Sequence, residues 1–250
     1  MRMKENTFKK VLSNFPQTLF VMLLAFLCIS SCKKDEATTI DGGYSYFPNA
    51  IGHYCIYEVD STIYDNFNHD TVLYRYQIKE VIESYFTDNM GRTAMRVERY
   101  KRPYIDTIAY ANLPWTLSRV WAFTRTNSVA EKLEENQRFV RLAFVPRIGK
   151  KWNGNEFNTI GEWDYKYTQV DEPYLINAMS FDSTLTVVQK DEENLLNKRY
   201  YVERYARHVG LIEKNVIDVA DDSLVIGVPV LNRINVGVIY NIKLVDWGPR

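Results

Sequence analysis

Apolar and polar residues alternate along several short stretches of this chain, a pattern typical of strands with one buried and one solvated face. The alternating apolar residues are Tyr74, Tyr76 and Ile78, then Trp163, Tyr165 and Tyr167, and finally Tyr240, Ile242 and Leu244. Further strands are predicted at residues 54–64, 93–100, 119–125, 138–145, 183–189, 198–206 and 211–219. We therefore expect antiparallel sheets with one wet face.

Turn residues separate these stretches. They lie at residues 88–91, 153–155, 191–194 and 221–223. Residues 128–135 are ambiguous. Their Ala, Glu, Lys and Leu favour a helix that Ser128 could cap, whereas strands on both sides favour a strand that turns at residues 135–137. We prefer the strand.

The predicted fold is all-β. We expect a single domain of about ten antiparallel strands that form a curved sheet, an open barrel or a half-barrel with few helices. The sequence contains no long amphipathic helical pattern. Parallel α/β folds are disfavoured, because their strands require crossover helices.

The N-terminal residues predict an export signal. Basic residues precede an uninterrupted apolar run at residues 19–29. This run is shorter than the roughly 20 residues that span a bilayer, and it has the size of a signal-peptide core. Ile29-Ser30-Ser31-Cys32 then resembles a bacterial lipobox, although Leu and Gly or Ala are commoner than Ile29 and Ser31.

The lipobox resemblance implies cleavage before Cys32 and acylation of that residue. Several acyl chains anchor a protein firmly, because each buried methylene contributes about 0.8 kcal/mol. The predicted organisation is a lipoprotein signal peptide at 1–31, a lipidated tether at 32–43 and the β domain at 44–250. Lys33-Lys34-Asp35-Glu36 is similar to the surface-export signal of Bacteroidota lipoproteins, or is simply a solvated tether.

Three blocks of sequence resemble uncharacterised outer-membrane lipoproteins of Bacteroidota. The blocks are Tyr46-Phe47-Pro48 with Gly52 and residues 57–60, Gly149-Lys-Lys-Trp-Asn-Gly-Asn155, and residues 203–206 with 209–214. Such relatives tend to carry Trp where this chain has Cys55. The resemblance implies a mostly antiparallel β domain on a lipid anchor in the outer membrane, and it implies no functional residue.

The sequence predicts no enzyme. His53, His69 and His208 form no metal-binding spacing, and no HExxH, CxxC or GxSxG motif is present. Cys55 lies in a strand pattern, where a buried thiol behaves as a small hydrophobe. The acidic clusters lie at turns, where solvated acids are common. We expect no catalytic residue, no metal and no cofactor.

Charge and aromatic content narrow the partners. Thirty-one basic and 31 acidic residues cancel, so we expect no nucleic-acid partner. The many aromatic residues are expected first to fill the core. The candidates for ligand contact are Tyr74, Tyr76, Trp163, Tyr165 and Tyr167, and those for a surface patch are Tyr100, Tyr104 and Tyr110.

The sequence thus predicts a non-enzymatic outer-membrane lipoprotein that serves as a binding or structural module. Its leaflet and oligomeric state stay open. One alternative is a carrier or binder of a lipid or other apolar ligand within a curved sheet. A second alternative is a glycan-binding or glycan-acting surface protein.

The anchor generates a direct prediction. Replacing Cys32 by Ala removes the acceptor of the lipid, so C32A should leave the membrane fraction and become releasable without detergent. The control is C28A, which should stay membrane-bound because bulky Leu27 makes Cys28 a poor acceptor. Fractionation and mass spectrometry of the N-terminus measure the outcome, and a membrane-bound C32A would contradict lipidation.

Overall fold

Twelve antiparallel strands make up nearly all the regular structure in the computed structural model, which describes residues 41–68 and 70–249. The signal peptide, the lipidation of Cys32 and most of the tether were predicted outside these residues, as was His69. In the described part, helical structure is limited to three single turns at Tyr44–Tyr46, Tyr110–Asn112 and Val230–Asn232. None of these helices has the length and apolar character that a membrane crossing needs.

The observed strands overlap the predicted alternating stretches, and several extend well beyond them. The strands are β1 (Tyr54–Asp65), β2 (Asp70–Thr87), β3 (Thr93–Pro103), β4 (Thr116–Arg125), β5 (Val129–Glu134), β6 (Gln137–Ala143), β7 (Lys151–Asn153), β8 (Asp164–Ile176), β9 (Met179–Glu193), β10 (Asn197–Ala206), β11 (Gly210–Ala220) and β12 (Val236–Gly248). The alternation is clearest in β1, where Cys55, Tyr57 and Val59 are buried and Glu58 and Asp60 are exposed. Burial of one face therefore fixes the register.

All strands belong to one sheet, in the order β6-β5-β4-β3-β2-β1-β12-β11-β10-β9-β8-β7. Each half is a meander of hairpins, and the pairing of β1 with β12 joins the two halves. The sheet curves until its edges, β6 and β7, come close, which gives a nearly closed, barrel-like form. This confirms the all-β prediction, with twelve strands where about ten were expected.

The Gly149–Asn155 segment brings the two edges of the sheet together. The Trp152 indole Nε1 donates to the Val140 carbonyl oxygen at 2.9 Å, and the Val140 amide donates to the Gly154 carbonyl at 2.9 Å. Gly154 is required here, because a Cβ atom would lie 2.3 Å from the Tyr165 ring. Strand β7 has only three residues. A stretch this short contains too little alternation for the sequence to predict a strand.

Two local predictions have definite outcomes. Residues 129–134 form strand β5, which confirms the strand over the helix, and Glu135 and Asn136 form a tight turn with φ of 47° and 64°. The predicted turn at residues 191–194 begins too early in the chain. Strand β9 continues to Glu193 because its partner β10 pairs as far as Lys198.

The end of the sheet where β1 begins is plugged by the Tyr44–Tyr46 turn. Tyr46 is fully buried and its hydroxyl lies 2.7 Å from both Asp171 Oδ1 and Ser183 Oγ. Phe47 packs against Phe123 with ring centroids 5.7 Å apart. We call this the plugged end and the opposite end, where β1 ends, the mouth end.

The edge contact generates a stability prediction. Replacing Trp152 by Phe retains a ring but removes the hydrogen bond to Val140, so the free energy of unfolding should fall by about 1 kcal/mol. Trp163→Phe is the control, since no hydrogen bond from the Trp163 indole is found among the described residues. Urea denaturation compares the two, and equal losses would contradict a role for the hydrogen bond in closing the sheet.

Candidate ligand-binding cavity

Charged side chains lie inside the sheet together with the aromatic core. Glu203 is 2% exposed, and it accepts a 2.5 Å hydrogen bond from the Tyr205 hydroxyl. The Lys214 Nζ lies 3.0 Å from a carboxylate oxygen of Glu203, and Arg141 Nη1 lies 3.6 Å from the same oxygen. Burial would raise the pKa of Glu203, but the positive charges of Lys214, Arg141 and Lys132 lower it overall. Glu203 is therefore ionised inside the protein.

These internal charges do not balance. Three ion pairs lie near the centre of the sheet: Glu80–Arg99 at 3.8 Å, Glu134–Arg141 at 3.0 Å and Glu203–Lys214 at 3.0 Å. Of these side chains Arg141 and Glu203 are buried and the others are half-buried. Lys132 is a further cation on the same inner face. Since each of the three carboxylates already has a cationic partner, Lys132 is a surplus positive charge.

Lys132 is held inside without a direct counter-ion. It is 6% exposed, and its Nζ lies 4.5 Å from the centroid of the Phe123 ring. Within residues 41–68 and 70–249, no carboxylate oxygen lies within 4.0 Å of this nitrogen, and it forms no hydrogen bond. Its charge is offset only from a distance, by the carboxylates of Glu134 and Glu203, whose pKa values it helps to lower. An ammonium inside the sheet without a direct acceptor is costly.

The Lys132 side chain lines a partly open cavity of about 50 Å³ near the plugged end. We call it the Lys132 cavity. Its apolar wall is formed by Phe47, Ile82, Val97, Phe123, Val209 and Leu211. Its polar groups come from His53, Cys55, Tyr57, Glu80, Lys132 and Tyr205. The arrangement is a mostly apolar pocket with one cation that has no direct counter-ion, which suits a small anion with an apolar portion.

Cys55 and His53 are structural donors at the wall of this cavity. The Cys55 thiol donates to the Val209 carbonyl at 3.3 Å, and His53 Nε2 lies 2.9 Å from the same oxygen. Burial raises the pKa of Cys55 to about 12, so the thiol is protonated at neutral pH. Burial also lowers the pKa of His53. A neutral thiol is a poor nucleophile.

The five predicted contact residues do not form one site. Tyr165 and Tyr167 are buried in the core against Trp152, with ring centroids 5.9 and 4.5 Å away. Trp163 packs on Tyr201 at 5.1 Å. Tyr76 lines a second cavity at the mouth end, and Tyr74 is exposed. Ligand contact by these residues stays a prediction, but any such site cannot include all of them.

The predicted surface patch is only partly assembled. Tyr104 and Tyr110 lie together with ring centroids 6.0 Å apart, and the Arg102 guanidinium lies 5.4 Å from the Tyr110 centroid. Tyr100 instead donates a hydrogen bond to Glu98.

Sequence reasoning missed Lys132, which lies in the ambiguous segment 128–135. The neighbouring Glu131 is also buried, and it pairs on the outer face with Arg92 and Arg138 at 2.9 and 2.5 Å. Charged residues on both faces conceal which one points inward. Once a strand is assumed, the inward position of Ala130 assigns Lys132 to the same face.

Comparison with known proteins assigns no family. No protein-family model matches the sequence, and no curated protein matches it. A crystal structure from Parabacteroides distasonis, of a protein provisionally described as a lipoprotein, is similar over 81% of this chain and 98% of its own. The TM-score is 0.38 and the sequence identity 10%, which is too distant to support a function. No group of three or more His, Cys, Asp or Glu able to hold a metal occurs among the described residues.

The uncompensated charge generates a prediction for the ligand-free protein. Lys132→Met keeps the length of the side chain and removes the buried charge, so the free energy of unfolding should rise by about 1–3 kcal/mol. Lys151→Met, at an exposed position, should change it by less than about 0.5 kcal/mol. Denaturation in a buffer without carboxylic acids provides the test. A destabilised K132M would show that Glu134 and Glu203 neutralise Lys132 adequately from a distance.

Proposed function

We propose that this protein is a non-enzymatic binding module of the cell envelope, and that its Lys132 cavity binds a small monocarboxylate. The proposed location is the outer membrane, through a lipid on Cys32. The location and the anchor rest on the N-terminal sequence alone. The ligand is argued from the cavity, and the single observation that carries it is the buried Lys132 ammonium without a direct counter-ion.

The charge of the ligand follows from the ion pairs around the cavity. Because each neighbouring carboxylate already has a cationic partner, one negative charge suffices to neutralise Lys132. A dianion such as phosphate would bring a second charge close to Glu80, which lines the same cavity. A monoanion is therefore favoured, and a carboxylate can accept hydrogen bonds from the ammonium group.

The walls and the volume define the rest of the ligand. Phe47, Ile82 and Leu211 offer apolar surface and no hydrogen-bond partner from their side chains. A cavity of about 50 Å³ accommodates only a few water-sized groups, since one water needs about 10–15 Å³. The structure therefore favours a short-chain carboxylate over a long-chain lipid. The proposed ligand is therefore a small acid, a narrower class than the lipid or other apolar ligand that the sequence suggested.

The proposal assigns no chemical step to the cavity. Cys55 lies beside Lys132 in the lining, but its thiol is neutral and its hydrogen goes to Val209. His53 is used in a hydrogen bond to the same carbonyl. The polar groups other than Lys132 therefore have partners within the fold, which suits binding rather than catalysis.

Titration with short acids tests the proposal. Acetate, propionate and butyrate should shift the amide and side-chain NMR resonances of Phe123 and Leu211, whereas butanol and butylamine should not. K132M should weaken binding by about tenfold to a hundredfold, since a hydrogen bond to a charged group contributes about 1.5–3 kcal/mol. K151M serves as the matched control and should bind like the wild type.

The methyl resonances of Val209, which also lines the cavity, offer a second readout. A bound acid should shift them in the wild type and leave them unchanged in K132M. The proposal fails if no acid binds, or if K132M, shown to be folded by its amide spectrum, binds the acids as tightly as the wild type.

A further inference from the structure

A second cavity, distinct from the Lys132 cavity, opens at the mouth end of the sheet. It has a volume of about 270 Å³. We infer that this mouth cavity binds a sugar that carries an oxyanion group, either a carboxylate or a phosphate. Its charged and aromatic lining consists of Tyr76, Arg99, Lys101, Arg119, Trp121 and Glu135. The inference does not depend on the function proposed for the Lys132 cavity.

Two cations of the mouth cavity are positioned by aromatic rings. Lys101 Nζ lies 3.8 Å from the centroid of the Tyr76 ring, and the Arg99 guanidinium carbon lies 4.4 Å from the Trp121 ring. A cation over a ring face is stabilised without losing its capacity to donate hydrogen bonds. These two side chains are therefore arranged in advance to receive an anion.

The charge of the cavity is not neutralised from within. Arg119 Nε lies 2.9 Å from Glu135, which is the only carboxylate in the described lining. Arg99 pairs with Glu80, and the distance from Arg99 Nε to the carboxylate oxygen of Glu80 is longer, at 3.8 Å. No carboxylate in the described part of the chain lies within 4.0 Å of Lys101. The cavity thus has an excess of cationic donors, which an oxyanion would satisfy.

The remaining polar groups suit hydroxyl groups on the ligand. Ser118, Glu135 and Tyr240 also line the cavity, and they supply a carboxylate and two hydroxyls as acceptors. Glu135 already accepts from Arg119, but its second carboxylate oxygen and the Ser118 hydroxyl are hydrogen-bonding groups that hydroxyls of a sugar acid or sugar phosphate could meet and an inorganic anion could not. The volume is several times that of the Lys132 cavity, which is consistent with a ligand of monosaccharide size.

The two cavities are built from successive inward positions on shared strands. On each strand, two inward positions lie two residues apart. They are Ile78 and Glu80 on β2, Val97 and Arg99 on β3, and Trp121 and Phe123 on β4. Glu80 lines the Lys132 cavity and Arg99 lines the mouth cavity, so their ion pair lies between them. The pair separates an apolar site for a small acid from a polar site for a larger ligand.

Binding is measured by NMR with four probes: glucuronate, glucose 6-phosphate, glucose and inorganic phosphate. The reporter is the indole N–H resonance of Trp121, which lies beneath Arg99 and is assigned from its loss in Trp121→Phe. Glucuronate and glucose 6-phosphate should shift this resonance. Glucose and inorganic phosphate should each bind at least tenfold more weakly than the sugar that carries the oxyanion.

The double variant K101Q/R119Q tests the cationic donors. Both side chains are exposed, so the fold should persist, and we expect the affinity for glucuronate to fall at least tenfold. The control K151Q/R199Q removes two exposed positive charges outside the cavity lining and should retain the affinity. K132M should also retain it, which separates this site from the Lys132 cavity.

Three results would overturn the inference. One is the absence of any shift of the Trp121 resonance with both oxyanion-bearing sugars. Another is an equal loss of affinity in K101Q/R119Q and K151Q/R199Q, which would indicate general charge attraction. The third is inorganic phosphate binding as tightly as glucose 6-phosphate, which would show that the sugar contributes nothing.

Discussion

The pairing of charges inside the sheet is the constraint on which the rest of the structure depends. A nearly closed sheet of twelve strands encloses more space than aromatic side chains fill, and this chain places ion pairs there as well. A buried carboxylate such as Glu203 is tolerated only because Lys214 and Arg141 lie beside it. The same requirement makes Lys132 exceptional, since among the described residues no carboxylate oxygen lies within 4.0 Å of its nitrogen.

Residues of the three sequence blocks at 46–60, 149–155 and 203–214 have structural roles in this fold. Trp152 and Gly154 bring the sheet edges together, and Tyr46 and Phe47 plug one end. Glu203 belongs to the buried ion pairs. Residues that close and neutralise a curved sheet would be needed whatever ligand it bound, so such blocks indicate architecture rather than chemistry.

The two cavities follow from the way the interior is divided. Toward the plugged end, apolar side chains surround Lys132 and leave a small space. Toward the mouth end, Lys101 and Arg119 are exposed to solvent beside aromatic rings, and the space is wider. The Glu80–Arg99 pair lies between them. A single sheet thus presents two environments, one apolar with a single charge and one polar with several.

The sequence by itself determined the strands, because alternation with a period of two is a local property that burial of one face imposes. It also indicated where most turns lie, whereas residues 128–135 were compatible with a helix or a strand until the pairing of β5 with β4 and β6 decided for the strand. Only the tertiary structure decided which strands meet at the edges, and that Tyr76 lies in a cavity while Tyr165 is in the core. It also decided that Lys132 lacks a counter-ion. Charge pairing across distant strands depends on how the sheet curves, and no local pattern encodes that curvature.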